Sequence, residues 1–281
     1  MMPLRPFPAL LLQRKAERVL VVADLHIGWE AALAEKGIHV PSQTQKMLSV
    51  MVQLIKSYKP VRLLFLGDVK HTVATAEWGE WHDIPDFFEA VGKMVDDIWV
   101  VPGNHDGNLK PLLSETVKIL PSTGVVLWKK FGLFHGHTWP APELLGCRNL
   151  IIGHVHPVVA FRDPTGFRVT RQVWVKAECN DVQLAKSVLK NLNVTGEKTP
   201  ANLLKERFNV KLRVSQLYIM PSFNSFLGGQ PMNKKGIGKS ARSRMFIGPV
   251  LRYRSVDINN AELYLLDGTF LGSISQLRGL S

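Results

Sequence analysis

The chain has 281 residues, is 46% hydrophobic and carries a formal net charge of +12. Its length and near-zero mean hydropathy imply a globular protein with one large core, or a core plus a small appendage. They argue against a disordered chain. The apolar run at 10–12 is cut short by Gln13, Arg14 and Lys15, so neither a membrane span nor a signal peptide is expected, and the expected location is cytoplasmic. Cys147 and Cys179 form no paired spacing. They are expected to be reduced and not to bind metal.

Residues 18–23 read as a buried strand, followed by helices over 29–36 and 43–58. The second helix carries Met47, Leu48, Met51, Leu54 and Ile55 on one apolar face. A strand over 61–66 leads into a loop holding Trp78 and Trp81, which either pack or border a substrate. A helix over 85–95, opened by Pro85, precedes a strand over 97–101. Strands follow at 117–120 and at 125–134, the latter a hairpin around Lys129 and Lys130, and then at 149–152. Beyond lie a hairpin over 161–175 turning at Asp163 to Gly166, a helical insertion or excursion over 178–213, a strand over 216–220, and a hairpin over 262–274 turning at Asp267-Gly268. Alternation alone suggests a doubly wound α/β sheet.

Five polar clusters each stand directly behind one of these apolar runs. They are Asp24-Leu25-His26, Gly67-Asp68-Val69-Lys70-His71, Gly103-Asn104-His105-Asp106, Gly136-His137 and Gly153-His154-Val155-His156. Strand carboxyl ends converge on one rim of an α/β sheet, so clusters far apart in sequence can meet there. Carboxylate, imidazole and amide donors without thiolate suit Mn²⁺, Fe²⁺ or Zn²⁺. Manganese is the first choice.

The pattern resembles the calcineurin-like metallophosphoesterase superfamily, whose signature runs D-x-H, G-D-x-x-H, G-N-H-D/E, G-H and G-H-x-H. Within it the chain looks most like the archaeal SbcD-related phosphoesterase group, through Asp24-Leu25-His26-Ile27-Gly28, Gly67-Asp68-Val69-Lys70-His71 and Met220-Pro221-Ser222-Phe223-Asn224 followed by Gly228-Gly229. The resemblance implies a β-sandwich flanked by helices (an α+β four-layer α/β fold). The catalytic core would span 1–175, an insertion 176–215, and a C-terminal β extension 216–281 with a basic segment at 234–254. It also implies that Asp24, His26 and His156 hold one metal, that Asn104, His137 and His154 hold the other, and that Asp68 bridges both. His105 would act on the substrate phosphate with Asp106 orienting it, and His71 would position the phosphate or stabilise the transition state.

The chemistry of the residues agrees with these roles. Two cations about 3.5–4 Å apart lower the pKa of a shared water and clamp the phosphoryl oxygens during in-line displacement. An imidazole beside the leaving oxygen can donate a proton near neutrality. Coincidental strand-end loop residues are the competing explanation, and five clusters in order disfavour it. His39 and His82 are expected to be solvated or capping residues. His135 is either a neighbour supporting the ligands or simple packing. Asn224 and Phe223 either reach the site rim or form a turn.

The net charge asks for a polyanionic partner. Residues 234–254 hold seven basic and no acidic residues, interleaved with Phe246 and Tyr253, which suits nucleic acid as well as a solvated basic loop. The expected function is a dinuclear metal-dependent phosphodiesterase or nuclease acting on DNA or RNA by metal-activated hydroxide attack on phosphorus. The alternatives are a small-molecule phosphodiesterase or nucleotide hydrolase, and a non-catalytic scaffold on the same fold. No membrane partner is expected, whereas a homodimer or a DNA-repair protein partner is compatible with the resemblance.

Overall fold

The computed structural model describes residues 1–73, 78–162, 165–234, 247–253 and 255–278, with the side chain of Trp78 excepted. The turn expected at Asp163 and most of the basic segment, including Phe246 and Arg254, lie outside the described residues. The chain divides into two compact units, Met1–Pro121 with Ser222–Leu227, and Ser122–Pro221 with Gly228–Ser281.

The first unit holds a six-stranded sheet in the order β1 (Met2–Pro3), β2 (Leu10–Arg14), β3 (Glu17–Val22), β4 (Arg62–Phe65), β5 (Asp97–Val100) and β6 (Val117–Ile119). The first three strands run antiparallel and β3 to β6 run parallel. The apolar residues at 10–12 are thus a buried strand. Helices α1 (Trp29–Ala34), α2 (Thr44–Tyr58) and α3 (Trp78–Gly92) accompany the parallel strands. Met47, Met51, Leu54 and Ile55 of α2 and Ile84, Phe87, Phe88 and Val91 of α3 share one buried cluster with Leu20, Val22, Leu63, Phe65, Ile98 and Val100. That cluster accounts for the helical spacing of the apolar residues in both helices.

Two expectations are corrected here. Pro85 lies inside α3 instead of opening it, and Trp81 sits in that helix instead of a loop. Proline removes one helical amide and crowds the preceding turn. The burial of Ile84, Phe87, Phe88 and Val91 outweighs that local cost.

The second unit holds a nine-stranded mixed sheet: β7 (Val125–Leu127), β8 (Phe131–Leu133), β9 (Asn149–Ile152), β10 (Pro157–Arg162), β11 (Arg168–Glu178), β12 (Gln216–Ile219), β13 (Gln230–Pro231), β14 (Glu262–Leu265) and β15 (Phe270–Ser273). The expected hairpins form between β7 and β8, β10 and β11, and β14 and β15. Trp128 and Lys129 both have positive φ, and the Lys130 amide donates to the Leu127 carbonyl at 3.1 Å, which is a type I′ turn. The stretch at 178–213 forms α4 (Asp181–Asn191) and α5 (Pro200–Phe208), each with a side-chain N-cap, from Asn180 and Thr199. Leu184, Val188, Leu189, Leu203 and Leu204 bury their inner faces in this unit's core. Short helices α6 (Gly248–Arg252) and α7 (Ile274–Leu277) complete the unit.

Both cysteines are free, and burial pushes their thiols up, to about 11 for Cys147 and about 12 for Cys179. Little reactive thiolate exists near neutrality. Among the described residues, no helix is long and apolar enough to cross a membrane.

Candidate metal centre

In the first unit, Val22 pairs with Phe65 and Phe65 with Val100, so β3, β4 and β5 end level with one another. The ladder runs on past them, with the Asp24 amide donating to Gly67 O at 3.0 Å and the His26 amide to Asp68 O at 2.9 Å. Three of the five clusters are therefore brought side by side by strand register. Ligand atoms of Asp24, His26 and Asp68 lie within 4.8 Å of one another, as do those of His26, His71 and His105.

The backbone is bent to present them. Asp24, His26 and Asp68 have φ of 58°, 44° and 52°, a left-handed conformation uncommon outside glycine and enriched at functional sites. Asp24, His26 and Asp68 are 0%, 3% and 2% exposed. Two carboxylates buried this closely repel one another unless a cation lies between them, so the donor set fits a divalent ion. Nε2 of His26 stands 3.4 Å from Asp68 Oδ2 and its Nδ1 stands 3.3 Å from Nδ1 of His71. The other Asp68 oxygen accepts from the His105 amide at 2.9 Å. Gly103 is required there, because a Cβ would lie 2.5 Å from the Asp68 nitrogen and overlap its carboxylate.

Asp106 is buried, and its carboxylate accepts from the backbone amides of Gly103 at 2.7 Å, Val69 at 2.8 Å and Lys70 at 3.3 Å. It thereby ties the third cluster to the second. Nδ1 of His105 meets the carbonyl oxygen of His71. Burial, followed by the neighbouring His105, lowers the pKa of His71, against the opposing pull of Glu80 and Asp68. Asn104 stands exposed in the bend between Gly103 and His105.

In the second unit, β8 and β9 are parallel neighbours, and the Gly153 amide continues their ladder by donating to His135 O at 3.0 Å. The clusters behind them lie together for the same reason. The ring of His135 is 5.3 Å from that of His137 and 5.0 Å from that of His154. His135 is fully buried against those two rings. His154 and His156 repeat the left-handed backbone, with φ of 67° and 45°.

Other expectations sort readily. His39 is exposed. His82 lies on α3 with its side chain 78% exposed, 3.3 Å from Asp86. Phe223 joins the core of the first unit. Asn224 is wholly buried and does more than form a turn, since its side-chain amide donates to the Leu25 carbonyl at 3.1 Å and its Oδ1 accepts from the Phe226 amide at 3.0 Å. Glu80 and Lys70, both 0% exposed, were not among the expected site residues. Their only sequence signal is a charge close to the second cluster.

The sequence profile described as calcineurin-like phosphoesterase matches residues 17–211, which include all five clusters. The chain belongs to the calcineurin-like phosphoesterase family. It is accordingly a metal-dependent phosphoester hydrolase, and its two mixed sheets with accompanying helices are consistent with that family's fold. Among solved structures, this phosphoesterase is similar to the nuclease MPE of Pseudomonas putida, at 18% identity and a TM-score of 0.50, over 94% of this chain and 100% of that one. It is also similar to Yfce, a phosphoesterase from E. coli, at 22% identity and a TM-score of 0.34, over 52% of this chain and 73% of that one. No curated protein matches it.

Proposed function

We propose that the protein is a dinuclear metal-dependent phosphodiesterase that cleaves DNA or RNA. The observation that carries this reading is the grouping of His26, His71 and His105 beside Asp68 in the first unit. The family motif assigns seven ligands: Asp24, His26 and His156 to one metal, Asn104, His137 and His154 to the other, and Asp68 to both. His71 and His105 are outside that set, which leaves two imidazoles for the substrate. A phosphodiester needs such groups, because its departing alkoxide must gain a proton.

When bound, the metals supply a nucleophile at neutral pH and charge neutralisation at phosphorus. Manganese suits the oxygen and imidazole donors. His105 holds its Nδ1 proton against the His71 carbonyl, so Nε2 is the atom that exchanges a proton with the leaving oxygen. His71, whose pKa burial lowers, would serve as a neutral imidazole that donates a hydrogen bond to a phosphoryl oxygen. The net charge of +12 supports a polyanionic substrate, and the nuclease of similar fold is in keeping with it. The motif likeness to the SbcD-related group supports the same substrate class, with a cytoplasmic setting and a DNA-repair partner or second copy as its associated proposals.

Turnover of bis(p-nitrophenyl) phosphate with Mn²⁺, compared with cleavage of single- and double-stranded oligonucleotides and of cyclic nucleotides, tests the reading. Loss of turnover in Asp68→Asn and His105→Ala is expected, with oligonucleotide binding that weakens steeply as salt rises. Cleavage of cyclic nucleotides alone, with salt-independent behaviour, would favour the small-molecule alternative.

A further inference from the structure

We propose that Glu80, in the first turn of α3, is a positioning residue that sets His71 and His105 for catalysis. The inference rests on the roles given above to those two histidines. A glutamate with no exposed surface is uncommon unless its charge is bound. Here one carboxylate oxygen, Oε1, accepts from two successive backbone amides, His71 at 2.9 Å and Thr72 at 2.7 Å. Lys70 is equally buried and turns its Nζ onto the carbonyl oxygens of Thr72 and, at 3.4 Å, of Val73. The amides of this short turn are thus held by a buried anion and its carbonyls by a buried cation.

Besides the His71 ring, the turn delivers the carbonyl of His71, which meets Nδ1 of His105. A carbonyl oxygen can only accept, so its position sets both the ring angle and the tautomer of His105. Glu80 also lies against the stretch that follows His26. Gly28, with φ of 92°, leaves no room for a side chain, since a Cβ there would come within 2.6 Å of Glu80 Cγ. A turn that served folding alone would not call for two buried ionisable side chains, whose desolvation is costly. Glu80 is tied to catalysis by its bonds to the His71 and Thr72 amides, which fix the turn that meets His105.

The test is a double-mutant cycle on the full chain with saturating Mn²⁺ and bis(p-nitrophenyl) phosphate, reading kcat and KM for Glu80→Ala, Glu80→Gln, His105→Ala and the Glu80→Ala/His105→Ala pair. Glu80→Ala is expected to lower kcat about tenfold or more with KM changed less than about twofold, the mark of an interaction realised in the transition state. Glu80→Gln, whose amide oxygen can accept the same two hydrogens, is expected to recover most of kcat. In the His105→Ala background, Glu80→Ala is expected to change kcat less than about threefold, because groups acting as a unit are not additive. A full multiplicative loss in that background, unchanged kcat in Glu80→Ala, or a Gln variant as impaired as Ala would each overturn the proposal. Unchanged kcat in His105→Ala would instead overturn the reading of His105. Should Glu80→Ala fail to fold, Glu80→Asp enters the same cycle, being one methylene too short to hold both amides.

Discussion

The side-chain amide of Asn224 donates to the carbonyl of Leu25 at 3.1 Å, joining positions 199 residues apart. The Phe223 amide donates to Ala23 O at 2.8 Å beside it. Asp24 and His26 are thus held in their left-handed conformations by a segment far along the chain.

Asn224→Ala removes that donor and leaves the buried Leu25 carbonyl short of it. The expected cost is about 1–3 kcal/mol of stability, with weaker Mn²⁺ binding because the first cluster loosens. Urea unfolding and a Mn²⁺ titration measure the two effects.

Asp106→Asn replaces one of two accepting oxygens with an NH₂ group facing backbone N–H donors. With the Gly103, Val69 and Lys70 amides all bonded to this carboxylate, a loss of about 1–3 kcal/mol is expected in denaturant unfolding. An undiminished midpoint would mean that these three hydrogen bonds contribute no net stability.

Gly103→Ala places a Cβ against the Asp68 carboxylate and amide. Displacing Asp68, which is proposed to hold both metals, should cost at least about 1.4 kcal/mol of transition-state stabilisation, or tenfold in kcat/KM. Steady-state kinetics with metal content measured alongside would show it.

Arg62 bonds Asp97 at 2.6 Å and lies over the Trp99 ring at 3.8 Å. Burial alone would raise the Asp97 carboxyl, but hydrogen bonds from Arg62, Lys118 and Trp99 hold it below its ordinary value of 3.8. A carboxyl depressed in the folded state stabilises the fold above that ordinary value and loses the contribution as pH falls through its folded value. Asp97→Asn is expected to flatten the dependence of stability on pH below about 4, as followed by urea midpoints across acid pH.

Metal should stabilise the fold as well as activate it. At a hundredfold excess over Kd, one bound ion adds about 2.7 kcal/mol. Mn²⁺ is expected to raise Tm, EDTA to reverse the rise, and Asp68→Asn to blunt it, all readable by thermal unfolding.

The five polar clusters are legible in the sequence because the rule that reveals them is local. A short apolar run makes a buried strand, and the residues behind it fall at the strand's carboxyl end. The start of α3 was not legible in the same way. Pro85 carries a local signal for a helix opening, and the burial of Ile84, Phe87 and Phe88 overrides it. Glu80 and Lys70 show only a charge in or near the second cluster, and Asn224 only its place in a turn-like segment, so the sequence names no partner for any of them. A buried charge or amide has a role only through the partner it meets, and those partners are named by packing.

Sequence alone was enough for the family, the donor types and the order of the five clusters, since each depends on residue identity and strand direction. Tertiary structure decided which backbone amides and carbonyls orient those donors. The level ends of β3, β4 and β5 set Asp24 beside Asp68, while Glu80 and Asn224 complete hydrogen bonds that exist only once distant segments have packed.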